Sequence, residues 1–210
     1  MKWEWLLSKV GQEPVFKTGF LAASSKSMPD VRLQLSRWVK TGKLIQLRKG
    51  LYTLAQPYRK VAPHPFVIAN AMKKASYVSL QSALAFHGMI PEHVPTVMST
   101  TTQRPGKVDT PLGRFVFRHV KKDWFYGYRP TDLGQGQRAF VAVPEKALLD
   151  LVYLTPDSAN RDFLIELRLQ NLEQLDSQVV LDMAKASGTK KLSLAGRLIV
   201  GLIEQARDEL

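Results

Sequence analysis

The sequence predicts an α+β protein with two parts: an N-terminal winged helix-turn-helix at residues 1–56, and a larger mixed α/β domain at residues 57–210 with C-terminal helices. Helix-period patterns followed by two short apolar runs fill the first part. The segment QPYRKVAPHP at 56–65 contains three prolines, which is typical of a linker. Positive charge is concentrated before this linker.

The charge is distributed unevenly along the chain. Residues 1–60 contain 12 Lys and Arg against 3 acids, a net charge of +9, whereas residues 61–210 contain 18 against 15. This asymmetry predicts a polyanion-binding module attached to a nearly neutral body. The alternative is a basic protein whose surface charge is uneven without functional consequence.

Two short helices are predicted before the polar break at residues 24–27. The first has one apolar face and ends at Gly11; that face comprises Trp3, Leu6, Leu7 and Val10. The second occupies residues 17–25, around the run FLAA. The serines at 24, 25 and 27 are interpreted as helix caps rather than as phosphate ligands.

A third helix is predicted to begin at Pro29 and Asp30 and to end at Gly42. Proline fits the first turn because its missing N–H needs no partner there, and an acid favours the positive end of the helix dipole. The inner, apolar face contains Val31, Leu35, Trp38 and Val39 within about 100° of arc. The outward face is cationic, so this helix is expected to meet an anionic partner.

A small basic hairpin follows the third helix. The apolar runs 44–47 and 51–54 are predicted strands, and Gly50 supplies the flexible position that a tight turn requires. Three helices followed by a hairpin is the order of a winged helix-turn-helix. In that fold the third helix enters a major groove of DNA, and the hairpin can lie over the neighbouring backbone.

The predicted DNA contacts are Arg32, Leu33, Ser36, Arg37, Lys40, Lys43, Arg48 and Lys49. Arg32 and Arg37 are expected to read guanine edges by paired hydrogen bonds. The three lysines and Arg48 are expected to contact phosphates, which fix register and affinity. Leu33 is either a contact to a thymine methyl group or a solvent-exposed leucine without a role.

The larger domain is predicted as a mixture of helices and strands. Helices are expected at 66–75, 79–88, 144–154, 158–170, 176–187 and 191–209, strands at 94–102 and 114–120, and a loop at 105–113. The face from Arg114 to Tyr128 interleaves cations with aromatic residues. Aromatic rings among cations can stack on unpaired bases, but a strand of this kind more often buries its rings and exposes its charges.

No enzyme site, metal site or cofactor is predicted. The chain has no cysteine, its four histidines lack the spacing of a metal site, and it has no glycine-rich phosphate loop. Lys146 and Asp150 are interpreted as an i,i+4 helix pair worth about 0.3 kcal/mol. With no signal peptide and no apolar run long enough for a membrane span, a soluble cytoplasmic protein is expected.

Five segments, taken in order, resemble the AbiEi family of bacterial antitoxins from type IV toxin–antitoxin systems. They are RKGLYTL, YVSLQSALAFHGMI, the STTT strand, RFVFRHVKKDWFYGY and VPEKALLDLVYL, within residues 5–155. The resemblance implies a winged helix that binds repeats in the protein's own promoter and represses the operon in an antiviral defence system. It also implies a C-terminal domain that opposes a nucleotidyltransferase-like toxin without a stable complex.

Two alternatives remain open at this point. One is an RNA-binding protein that uses the Arg114–Tyr128 face. The other is a winged-helix module that binds its toxin directly.

Overall fold

The computed structural model describes residues 1–24 and 27–209, which form an α+β structure with two sheets, as predicted. The helices are α1 (Trp3–Val10), α2 (Met28–Lys40), α3 (Pro65–Met72), α4 (Leu80–Phe86), α5 (Pro144–Leu154), α6 (Arg161–Glu166), α7 (Ser177–Ala186) and α8 (Lys190–Asp208). The strands are β1 (Phe16–Lys17), β2 (Leu44–Arg48), β3 (Leu51–Leu54), β4 (Ser76–Val78), β5 (Thr96–Thr101), β6 (Gly106–Thr110), β7 (Gly113–His119), β8 (Tyr128–Asp132) and β9 (Arg138–Ala142). Short 3₁₀ helices lie at Thr18–Ser24, Lys122–Trp124 and Leu172–Gln174.

The N-terminal unit combines two α-helices, a 3₁₀ helix and a three-stranded antiparallel sheet in the order β1-β3-β2. Its apolar core contains Leu6, Val10, Phe16, Leu21, Val31, Leu35, Trp38, Leu44, Tyr52 and Leu54. The predicted second helix is the 3₁₀ helix Thr18–Ser24, and its predicted last residue, Ser25, lies outside the described residues. This order of elements is compatible with a winged helix-turn-helix.

The ends of α2 follow from local capping. The Ser27 hydroxyl accepts a hydrogen bond from the Asp30 backbone N–H at 3.5 Å, which confirms the predicted cap at this serine. Pro29 lies in the first turn, and Gly42 has a φ of +70°, a left-handed conformation that stops the helix at little steric cost. The predicted helix is therefore correct to within two residues.

The six-stranded sheet of the larger unit has the order β6-β7-β5-β4-β9-β8. The pairs β7/β5 and β4/β9 are parallel, and the other three pairs are antiparallel. The predicted loop at 105–113 is wrong, because residues 106–110 form β6, which pairs with β7 from Gly106↔Phe117 to Thr110↔Gly113. Pro105 and Pro111 flank this edge strand and Gly106 is its first residue, so none of them interrupts it.

The C-terminal helices pack on α5 and on each other. α7 and α8 contact along their lengths, and Gly196 permits their close approach, since a Cβ added there would lie 2.8 Å from the Cβ of Ala184. Buried leucine, isoleucine and alanine residues of α8 continue the larger core. The predicted helices at 176–187 and 191–209 are confirmed as α7 and α8 to within one residue at each end. The predicted helix at 158–170 is too long, because only residues 161–166 are helical, as α6.

A polar cluster, the Asp150 network, lies entirely inside the larger unit. Asp150 accepts hydrogen bonds from the Tyr77 hydroxyl at 2.9 Å, the Ser79 hydroxyl at 2.7 Å and the Trp124 Nε1–H at 2.7 Å. The Lys146 ammonium also donates to it and lies 3.9 Å from the centroid of the Trp124 ring. The network thereby joins β4, the start of α4, the 3₁₀ helix Lys122–Trp124 and α5.

The interpretation of Lys146 and Asp150 as an ordinary helix-surface pair is wrong. Both side chains are 0% exposed, so their attraction is not screened by water. Burial lowers the pKa of Lys146, while the charge of Asp150 opposes that effect. Burial, followed by the Asp150 charge, raises the pKa of Tyr77, so this hydroxyl stays a donor.

Breaking the buried pair should destabilise the protein strongly. We expect Asp150→Asn to lower the free energy of unfolding by about 3–5 kcal/mol, because Lys146 then remains buried without an anion. The double variant Lys146→Met/Asp150→Asn should recover part of that loss. Urea unfolding followed by far-UV circular dichroism measures both.

The exposed pair Arg114–Asp109 supplies the control for this experiment. Its side chains are 61% and 69% exposed, so Arg114→Met should change the free energy of unfolding by less than about 1 kcal/mol. A loss for Asp150→Asn no larger than that of Arg114→Met would show that the network is not a major source of stability.

Candidate nucleic-acid interface

The outward face of α2 presents five of the eight predicted DNA contacts together. Arg32, Leu33, Ser36, Arg37 and Lys40 are all exposed. At 100° per residue they occupy about 140° of the helix circumference, with Leu33 and Lys40 near the middle. Val31, Leu35 and Trp38 are buried on the opposite side, as the periodicity predicted.

The cations of this face have no hydrogen-bonding or ion-pair partner in the described part of the chain. Within residues 1–24 and 27–209, Arg32, Arg37 and Lys40 make no side-chain hydrogen bond and no ion pair. The ion pairs of the described chain, Arg114–Asp109, Lys146–Asp150 and Arg168–Glu92, all lie in the larger unit. These three cations of α2 are therefore available to an external anion.

Arg48, predicted to contact phosphate, is directed towards the larger unit. Its guanidinium donates a hydrogen bond to the backbone carbonyl of Met72, the last residue of α3. A helix C-terminus carries carbonyls without intrahelical partners and a partial negative charge, so a guanidinium is favourable there. Arg48 thus attaches the hairpin to α3.

Apolar packing reinforces the attachment of the hairpin. The pairing of β2 with β3 changes register between Gln46 and Arg48, and the intervening Leu47 is buried with Leu51 in the core of the larger unit. At the turn, Thr18 N–H donates to the Gly50 carbonyl at 3.0 Å. The hairpin tip is therefore packed against neighbouring structure instead of projecting freely.

Lys43 and Lys49 lie in different environments. The Lys43 ammonium lies 5.0 Å from the centroid of the Trp3 ring and 6.0 Å from that of Tyr58, so cation–π contacts hold this side chain. Lys49 is exposed at the turn and makes no side-chain hydrogen bond, ion pair or ring contact to other described residues. Gly50 has a φ of +79°, which confirms the predicted role of this glycine in the turn.

Three lysines near Arg48 were not predicted as site residues. Burial lowers the pKa of Lys17, and the charges of Lys74 and Arg48 lower it further. Burial and the charge of Arg48 likewise lower the pKa of Lys73, whose ammonium donates to the Arg104 carbonyl. The adjacent pair Lys73–Lys74 was visible in the sequence, but its proximity to Lys17 depends on the tertiary fold.

The Arg114–Tyr128 face does not present its rings for stacking. Phe115, Phe117 and Trp124 are buried, and the other three aromatic residues pack against the edge of the same core. Arg118 donates to the Leu154 carbonyl at 2.8 Å. The structure therefore gives no support to base stacking on this face.

The histidines near helix ends have structural contacts. His64 caps α3 by accepting a hydrogen bond from the Phe66 N–H at 3.1 Å, and His87 Nε2 lies 2.8 Å from the Ala142 carbonyl oxygen. Burial lowers the pKa of both side chains. His87 is therefore a packed residue at the C-terminal end of α4.

Comparison with known proteins gives no family for this chain: no protein-family model matches it, and no curated protein shows significant similarity to it. Across residues 1–24 and 27–209, no helix has the length and apolar character needed to cross a membrane.

Arg48 and Lys49 should differ in their contribution to stability. We expect Arg48→Met to lower the free energy of unfolding by about 1–2 kcal/mol, because the Met72 carbonyl loses a charged donor. Lys49→Met, the matched control, should change it by less than about 0.5 kcal/mol. Urea unfolding of the two variants provides the comparison, and equal effects would contradict the anchoring role of Arg48.

Proposed function

We propose that this chain is a non-enzymatic protein that binds double-stranded DNA on the outward face of α2. The observation that carries the proposal is the exposure of three cations on one helix face that have no acidic partner among residues 1–24 and 27–209. Such a surface favours a polyanion, and each phosphate contact releases condensed counterions from the DNA. The proposal requires no ligand beyond the duplex.

In this proposal the N-terminal unit is a winged helix-turn-helix and α2 is its recognition helix. A helix of this type lies in the major groove with its outward side chains towards the base edges. Arg32 and Arg37 then hydrogen-bond to guanines, while Lys40 and Lys49 contact phosphates. Arg48 and Lys43 contribute by positioning the hairpin and the end of α2.

We further propose that the chain is a cytoplasmic transcriptional repressor and antitoxin of a type IV toxin–antitoxin system. The support for this step is the resemblance of five segments within residues 5–155 to the AbiEi family. The DNA target is then the protein's own promoter, with inverted repeats. The larger unit opposes a nucleotidyltransferase-like toxin without forming a stable complex with it.

Removing the cations of α2 should abolish specific DNA binding. We expect the variant Arg32→Ala/Arg37→Ala/Lys40→Ala to lose at least about 100-fold in affinity for the upstream promoter DNA, since it loses base contacts and phosphate contacts together. For the unaltered chain, about two neutralised phosphates, at Lys40 and Lys49, predict a slope of log K against log salt of about −1.8. Fluorescence anisotropy with labelled duplex measures both quantities.

The control variant must remove the same charge elsewhere. Lys107→Ala/Lys121→Ala/Lys122→Ala alters three exposed lysines of the larger unit and should retain binding within about threefold. Equal losses for the two triple variants would mean that net charge, and not the α2 face, determines binding.

Antitoxin activity should be separable from DNA binding. We expect co-expression of this chain to restore growth of cells that produce a nucleotidyltransferase-like toxin encoded beside it, and the α2 triple variant to restore growth equally well. The reason is that the resemblance assigns toxin neutralisation to the larger unit. Growth curves with matched expression levels provide the test, and absence of rescue by the unaltered chain would contradict the antitoxin proposal.

A further inference from the structure

The outward face of α2 has one apolar member, Leu33. Its side chain is 53% exposed, although the flanking residues of that face are charged or hydroxylated. Arg32 precedes it, and Ser36 and Arg37 follow one turn later, so Leu33 lies between positions suited to hydrogen bonding. An exposed leucine at the centre of a cationic face indicates a contact with something apolar within an anionic ligand.

A DNA major groove offers that combination at one kind of base pair. Its rim consists of phosphates, its floor consists mostly of hydrogen-bonding groups, and its apolar feature is the C5-methyl group of thymine. We propose that Leu33 contacts a thymine C5-methyl group and thereby selects an A·T pair between the bases read by Arg32 and Arg37. This inference rests on the proposed DNA-binding function and adds a specificity-determining residue to it.

A protein partner fits the same surface less well. A second copy of the chain would bring the same cations against Arg32, Arg37 and Lys40. Acids to meet them are few, because residues 1–60 contain 3 acids against 12 Lys and Arg. Like charges in contact across an interface disfavour association. Charge complementarity therefore favours the DNA duplex as the occupant.

The test begins with the full-length chain and a random duplex library. Repeated rounds of selection give the preferred site, and each thymine of that site is then replaced by uracil, which removes one methyl group and leaves base pairing unchanged. For the unaltered chain we expect one uracil position per half-site to lower affinity about fourfold, the value that corresponds to burial of one methyl group.

The variant Leu33→Ser separates this contact from general effects of uracil. In this variant the same uracil substitution should change affinity by less than about 1.5-fold, because the apolar partner of the methyl group is absent. Leu33→Gln is a second variant that keeps a long side chain and should behave likewise. Leu194→Ser is the matched control, since Leu194 is a 43% exposed leucine on α8, and it should retain the fourfold effect.

The outcomes distinguish the inference from the proposal on which it rests. A uracil effect present in the unaltered chain and in Leu194→Ser, but absent in both Leu33 variants, supports the methyl contact. A uracil effect of equal size in all four proteins, or none in any of them, overturns it while DNA binding stands. Failure of the library selection to enrich any duplex overturns the DNA-binding proposal, and the inference with it.

Discussion

The burial of one side of α2 is the interaction on which the basic surface depends. Val31, Leu35 and Trp38 lie in the core of the N-terminal unit, and the Trp3 ring meets the Trp38 ring edge-on at 5.0 Å between centroids. Because a helix is rigid, fixing these side chains also fixes the direction of Arg37 on the opposite side. Among the described residues the cations make no side-chain hydrogen bond or ion pair that would hold them there, so the apolar core orients them.

The hairpin links this unit to the larger one. Leu47 and Leu51 belong to the larger core although their strands form the sheet of the N-terminal unit, and Arg48 adds a hydrogen bond to the end of α3. The linker is also attached, because the Gln137 side chain bonds to the His64 N–H and the Ala62 carbonyl. The hairpin, which the sequence predicted as a basic wing over DNA, therefore forms much of the contact between the two units. The domain boundary at residue 56 stays a prediction.

The sequence pattern predicted an element correctly where the residues of that element determine its structure. It failed where contacts between elements determine the structure. The helix at 144–154 was predicted with its start at Pro144, and its bounds agree with α5. The strand inside the predicted loop at 105–113 was missed, because pairing with β7 outweighs the weak strand propensity of GKVDT. Likewise, no spacing rule shows that Lys146 is buried or that Arg48 faces α3. The exposed face of α2 was predictable because the spacing of apolar residues along a helix shows which of its sides is buried.

The treatment of charge differs between the two units in a way that bears on function. In the larger unit the buried Lys146 has a carboxylate partner, and that carboxylate has three further donors, as expected for ions that stabilise a fold. In the N-terminal unit, within residues 1–24 and 27–56, no ion pair offsets the repulsion among the cations. Such repulsion costs stability in the isolated protein and is relieved when an anion binds. A surface that serves only solubility would gain from interspersed acids, so their scarcity here favours a polyanionic ligand.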